Sequence, residues 1–382
     1  MRPGELKSDF VSSYIVISGV RTVFFAVAFL FTLGCLFCGC GTAGAEQGSP
    51  ESREMSVSAI SGEDLDTGVE ERSGARSDQA ENLEMPTSQM GDKLPVCGVC
   101  IASDKAAYQV RLYQIMQKQA EKKGIRLIWK YANWDASLQN EQIRELLDDH
   151  VDVLIICPVN SKSMLDSLKE AKSREIPVIN LNMKVDAYSA VYVDTYVGAS
   201  SQEEGSLAAK LASDLLPDGG KAAILEGTPG TDPQIYRTQA FVDELRGRTD
   251  IHIEAIRNAD WNRQKAERET RRLLKKIPDL GLIYCHDNNM AAGAIAAIQE
   301  AGKEQDIQVI GIGEADDKTM KLLHQGYLKG FIVQDPEFEA KSAVNCAVHL
   351  AAGGNVRPWI QNPVSIVTEE NAADYQRPLE YM

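Results

Sequence analysis

From Leu94 onward, short apolar runs alternate with stretches of helical spacing. "LPVCGVCIA" is a continuous apolar run of strand length. "YQVRLYQIMQKQAEKKG" follows with helical periodicity and stops at Gly124, a helix C-terminal signal. "IRLIWKYA", "VDVLIICPV" and "PVINLN" predict further strands, with helices in "SLQNEQIRELLDDH" and "SKSMLDSLKEAKSREI" between them. After "AVYVDT" the rhythm restarts. The pattern then predicts a helix over 198–215, strand "KAAILEG", a helix over 233–247, strand "IHIEAIRNA" and a helix over 262–276. Strand "LGLIYC", a helix over 288–302, strand "IQVIGIG", a helix over 315–325, strand "LKGFIVQ" and a helix over 336–353 complete the series.

Uninterrupted apolar strands joined by helices predict an α/β fold with parallel sheets covered on both faces. The crossovers should be right-handed. About ten strands are too many for one doubly wound unit, and the rhythm breaks near 191–197, so two lobes are expected with a boundary there. In such sheets ligands lie beyond the carboxyl ends of the strands. Cys157, Asn182–Met183, Cys285–His286–Asp287 and Gly313–Glu314 fall at those ends. Asp287 also reads as a helix N-cap. A carboxylate has about four lone-pair sites and can cap and bind at once.

The segment before Leu94 is different. Arg2, Lys7 and Arg21 precede the apolar stretch "TVFFAVAFLFTLGCLFCGC", which runs through Cys40. Residues 1–40 therefore read as a secretory signal or membrane anchor. The stretch is close to the ~18 residues that span a bilayer, so length does not separate the two. "LFCGCGTAG" resembles a bacterial lipobox with Cys40 as the lipidated residue, and "TLGC" offers Cys35 as a second candidate. An uncleaved anchor is the third reading. Each places the remainder outside the inner membrane. Residues 41–93 are rich in Ser, Glu, Gly and Asp and lack aromatic residues. Such a composition buries too little apolar area to offset chain entropy, and reads as a disordered polar tether.

Composition narrows the function. The 382-residue chain has a net charge of −15, which disfavours nucleic acid as a partner. Cys97 and Cys100 lie three apart in the first predicted strand and point to opposite faces, so "CGVC" reads as core packing rather than a redox pair. The chain contains no G-x-S-x-G, Walker loop or metal motif. "LEGTPGTDP" is glycine-rich but lacks the lysine of a phosphate loop. A binding protein without cofactor or metal is expected, rather than an enzyme.

The segments "VDVLIICPVNSKS", "REIPVINLN", "YVDTYVGA", "YRTQAF", "HDNNMAAGAIAAIQEAGK", "IGIGEADD", "KGFIVQDP" and "PVSIVTEENAADY" occur in order. Together they make residues 94–376 resemble the simple-sugar periplasmic binding proteins, of the ribose-binding type, that serve ABC importers. The resemblance implies two doubly wound parallel-sheet lobes joined by a three-crossing hinge (periplasmic-binding-protein-like I). The first lobe would comprise 94–194 plus 335–363, and the second 195–334 plus 364–382. It implies a monosaccharide or related polyol held between the lobes, and hand-over to an ABC permease. A sensing role with a chemoreceptor or two-component sensor is the alternative, as is a non-sugar ligand such as a polyol, nucleoside or autoinducer. A sugar-responsive repressor shares the fold, but its DNA-binding segment would fall where the apolar stretch and tether lie.

Carried onto this chain, the resemblance implies that Tyr108 and Trp261 flank a sugar ring. Arg237, Asp287 and Gln334 would hold hydroxyls. The usual Asp-Arg pair is replaced by Asn182 and Met183, and an Asn at the third strand end by Cys157. The Asp commonly found after "G-[IF]" becomes Gly313, with Glu314 next. These replacements point away from ribose towards a less hydroxylated, larger or more apolar ligand.

Overall fold

The computed structural model describes residues 94–375, which fall within one compact unit. The expected signal or anchor over 1–40, Cys35, Cys40 and the tether over 41–93 lie outside the described residues. Twelve strands among them form two six-stranded sheets.

The first sheet contains β1 (Val96–Ile101), β2 (Arg126–Tyr131), β3 (Val153–Cys157), β4 (Val178–Leu181), β5 (Thr195–Gly198) and β11 (Trp359–Gln361). Their order is β11-β5-β4-β3-β1-β2, all parallel. The second contains β6 (Gly220–Glu226), β7 (Ile251–Asn258), β8 (Leu280–Cys285), β9 (Gln308–Gly313), β10 (Gly330–Val333) and β12 (Ser365–Val367). Their order is β12-β10-β9-β8-β6-β7, and β12 runs antiparallel to β10.

Helices cover both faces of each sheet. In the first lobe α1 (Ala107–Lys123) and α10 (Pro336–Ala351) pack on the face that carries Cys97, Val99, Ile155 and Cys157. The opposite face, with Cys100, Leu154 and Ile156, packs on α2 (Ala136–Asp148) and α3 (Leu165–Ser173). The short α4 (Ala187–Ala190) precedes β5. In the second lobe α7 (Arg263–Lys276), α8 (Asn288–Glu300) and α9 (Asp317–His324) bury one face, and α5 (Ser201–Leu215) and α6 (Asp232–Glu244) the other. Every residue of β3 is buried, which is why that strand reads as an uninterrupted apolar run. Cys97 and Cys100 sit in the two different cores of the first lobe, and both are free thiols.

The chain passes between the sheets three times: after β5, after β10, and between β11 and β12. Thr195–Gly198, which the break in rhythm put in the second lobe, pairs with β4 in the first sheet. The first passage therefore comes four residues later than expected. These passages bring strand carboxyl ends of both sheets to one place.

Candidate functional site

Arg237 projects from α6 into the buried space beside the carboxyl ends of β8 and β10. Its Nε donates to Glu204 Oε2 at 2.8 Å, Nη1 to the His286 carbonyl at 2.6 Å, and Nη2 to Gln334 Oε1 at 3.4 Å. Side-chain exposure is 6% for Arg237 and 1% for Glu204, so the ion pair is shielded from solvent. Burial pushes the Glu204 carboxyl up, against the pull of Arg237. Burial also works against the Arg237 cation, and the Glu204 charge outweighs it.

Gln334 continues the network. Its Nε2 donates to Glu339 Oε1 at 3.1 Å, and Asn362 Nδ2 donates to the same oxygen at 2.9 Å. Asn182 Nδ2 donates to Glu339 Oε2 at 3.0 Å. Glu339 is fully buried in the first turn of α10. Burial pushes it up to about 8, helped by Glu204 and opposed by the Asn362 and Asn182 amides. Asn182 holds a left-handed backbone, φ 64°, and its carbonyl accepts from the Tyr196 hydroxyl at 2.7 Å. Side chains from both lobes are thus joined through a carboxylate on the hinge helix. The Tyr108 ring stands half-buried at the start of α1. Its hydroxyl, held well above its ordinary range by burial and by Glu339, has no partner in hydrogen-bonding geometry.

Asp287 follows β8 and caps α8, accepting from the Met290 amide at 2.6 Å. Burial pushes it up to about 6, against the Met290 hydrogen bond and the Arg237 charge. It is therefore mostly ionised at neutral pH and serves as the cap in any case. Trp261 has φ 58° at the turn between β7 and α7. The Asn289 side chain donates to its carbonyl at 3.0 Å. The indole lies directly over Gly227, where an added Cβ would come within 1.8 Å of Cζ2. That contact requires glycine at the end of β6. The Trp261 and His286 ring centroids are 6.4 Å apart. His286 is buried, and burial and Arg237 hold it well below its usual value, so it is neutral.

The structure thus connects Arg237 to Gln334 directly and both to Asn182 through Glu339, and sets Asp287, Trp261 and Tyr108 around them. Cys157 and Met183 are buried in the first-lobe core. The Cys157 thiol accepts from Gln109 Nε2 at 3.6 Å, and its carbonyl from Gln139 Nε2 at 2.9 Å. Glu314 stands farther out, 3.2 Å from Arg111 on α1. On another side the Ser161 amide and hydroxyl donate to the Gly230 carbonyl at 3.0 and 3.1 Å. Both contacts join one lobe to the other, as in a closed clamp. A groove of about 720 Å³ opens beside the network, with Tyr108, Arg111, Asp287, Asn288 and Glu314 on its walls.

Sequence reasoning missed Glu204, Glu339 and Asn362. The signal for the acids was present. Glu339 lies four residues before Ala343 and seven before Cys346, and Glu204 four before Ala208 and seven before Leu211, all buried. Each is a carboxylate on the apolar stripe of its helix, where an unpaired charge is costly.

Residues 97–355 match the family model of the periplasmic binding protein domain. Among characterised proteins, the ribose import binding protein of Bacillus subtilis (strain 168) is 27% identical over 285 residues, covering 75% of this chain and 91% of that one. A xylitol-binding protein of Mycolicibacterium smegmatis is 26% identical over 260 residues, covering 67% and 72%. Among solved structures, an ABC transporter solute-binding protein from Bacillus halodurans C-125 with bound myo-inositol matches with a TM-score of 0.70 at 26% identity, covering 75% of this chain and 99% of its own.

Proposed function

The chain belongs to the periplasmic binding protein domain family, and on that premise we propose that it captures a sugar or sugar-like polyol between its lobes outside the cytoplasmic membrane and passes it to an ABC permease. The observation that carries this reading is a set of buried polar atoms with no hydrogen-bond partner around Arg237. They include Tyr108 Oη, Glu204 Oε1, Trp261 Nε1 and Asn362 Oδ1. Native interiors leave few such atoms unpaired, so their gathering at one site marks the position of a polar ligand. Hydroxyl groups both donate and accept, and so suit a mixed set. Tyr108 and Trp261 add aromatic faces for the C–H surface of a ring. Arg237, Asp287, Asn182 and Gln334 supply the fixed polar contacts, Cys157 and Met183 the apolar wall behind them, and Glu314 the rim.

In this reading the ligand leaves chemically unchanged. The relatives are named as binding proteins, and the Thr238 hydroxyl that lies 3.2 Å from His286 Nε2 gives its proton to Glu226, so the imidazole does not act as its base. The proposal extends to lobe limits of 94–198 plus 335–363 and 199–334 plus 364–375, the first passage following Gly198. It also extends to lipid anchoring through Cys40.

The test is calorimetric titration and thermal shift of the full-length protein with ribose, xylitol, myo-inositol and hexoses. Ligand at 100 times its Kd should stabilise the fold by about 2.7 kcal/mol. Asp287→Ser retains a capping side chain and should abolish the shift. If Asp287→Ser responds like the native protein, Asp287 does not touch ligand. If no polyhydroxylated compound binds, the sugar reading fails.

A further inference from the structure

Acidic groups outnumber cations around the site. Glu204, Asp287 and Glu339 carry carboxyl groups there; Arg237 pairs with Glu204 and its charge acts on Asp287, whereas it meets Glu339 only through Gln334. Asp232, also buried, accepts from the Ser201 hydroxyl. The Lys184 ammonium lies over the Trp359 ring, 3.8 Å from its centroid, and feels the charge of Asp232 and, less, of Glu204. Arg237 is committed to Glu204, and Glu339 is held by neutral groups, the amides of Asn182, Gln334 and Asn362 and the nearby Tyr108 hydroxyl. A buried carboxylate without a positive partner is costly.

Two further acceptors point into the same cluster. Glu204 Oε1 and Asn362 Oδ1 are buried and unpartnered. The Asn362 amide cannot be turned to hide its oxygen. Its Nδ2 already serves two acceptors, the Asp335 carbonyl at 3.1 Å and Glu339 Oε1 at 2.9 Å. A primary ammonium has three N–H donors and no acceptor. Glu204 Oε1, Asn362 Oδ1 and a Glu339 oxygen supply three acceptors.

We infer that the cleft selects a polyol carrying an amino group, with the ammonium held by Glu204, Glu339 and Asn362. This rests on the sugar-cleft reading above and names the ligand class within it. Trp261 Nε1, Tyr108 Oη and the two ring faces remain for the hydroxylated part. A neutral polyol puts a hydroxyl where the ammonium would sit, offers no charge that favours the Glu339 anion, and leaves that carboxyl protonated. Glu339 is mainly protonated at pH 7 before ligand arrives, in the company of Glu204, Tyr108 and, through Gln334, Arg237. An arriving ammonium favours its anion, so binding releases a proton.

The experiment is titration calorimetry of the full-length protein with matched pairs: D-glucosamine against D-glucose, D-galactosamine against D-galactose, and an amino-deoxy-inositol against myo-inositol. At pH 7 the amino member of at least one pair should bind about tenfold tighter or more than its parent, as charge-assisted hydrogen bonds require. Its heat should depend on the ionisation enthalpy of the buffer in the sense of proton release. In Glu339→Gln the preference should shrink to about twofold or less, with a cooperative urea transition showing that the variant folds. Parents binding as tightly as their amino partners overturn the inference and leave the sugar-cleft reading standing. A preference that survives both Glu339→Gln and Glu204→Gln also overturns it. Binding by no member of any pair removes both.

Discussion

Glu339→Gln isolates the electrostatics of the hinge helix. The side chain is fully buried, and its carboxyl is pushed from the usual 4.5 to about 8, chiefly by burial. A carboxyl with a raised folded-state pKa binds more protons in the native than in the unfolded chain between those two values. Stability from this group is therefore complete below about pH 4.5 and is lost as pH rises through about 8. The full swing is at most about 5 kcal/mol, since each pH unit is worth about 1.4 kcal/mol. Relaxation and water entry in real interiors reduce it, so about 2–5 kcal/mol is expected. Glutamine has the same shape and does not titrate. It brings an amide N–H₂ among the Asn182, Gln334 and Asn362 donors, so the variant carries a constant cost at every pH. Urea unfolding of the ligand-free native protein and the variant at pH 5 and pH 8.5 separates the two effects. The advantage of the native protein over Glu339→Gln should fall by about 2–4 kcal/mol across that interval. An advantage that stays flat, or grows with pH, would refute the claim that Glu339 is a buried acid without a cation.

Three other outcomes test the frame around it. Arg237→Met strands Glu204 as a buried carboxylate and should cost about 3–5 kcal/mol in urea unfolding, and adding Glu204→Gln should restore part of that loss; strictly additive costs would show that the two side chains do not act as a pair. Gly230→Ala places a Cβ 2.2 Å from Asn160 Nδ2 at φ +84°, so it should weaken polyol binding in calorimetry by tenfold or more, on the order of 1.4 kcal/mol, by obstructing the closed contact; native affinity would mean that the lobes close without it. Arg111→Ala removes a half-exposed ion pair to Glu314, with exposures of 35% and 17%. It should reduce affinity by no more than about fivefold, and the difference should vanish in 1 M salt; a larger, salt-independent loss would make Arg111 a ligand contact.

The alternating architecture was readable because parallel strands buried on both faces leave no polar positions to blur them. β3 and β8 are the clearest cases. β11 was not read as a strand because it has three residues and two of them, Trp359 and Gln361, are exposed. The lobe boundary was misplaced by one strand for a related reason. Thr195–Gly198 follows an irregular turn and is only four residues long, so it looked like the start of a new unit. Its pairing with β4 on one side and β11 on the other is a long-range fact that local pattern does not hold.

The site was legible where it sits on strand ends and hidden where it sits on helices. Asp287, Gln334 and Asn182 interrupt apolar runs, and the interruption is visible. Glu204 and Glu339 interrupt helical stripes, which tolerate a polar residue at one edge, so the same break carries less information. The consequence for function is larger than two missing names. Asn182 stands where the family resemblance leads one to expect an acid, and read alone it suggests a cleft that has lost polar capacity. The structure brings the Glu339 carboxylate to within 3.0 Å of that asparagine. An acid is therefore still present beside β4, delivered by α10 instead of by the strand end. Because α10 begins at the second passage between the sheets, directly after Gln334, the relocated charge sits on the part of the chain that the lobes must turn about. Occupying it with a positive group would then stabilise the ligand contact and the closed hinge through the same carboxylate. A charge at the former strand position would act within one lobe alone.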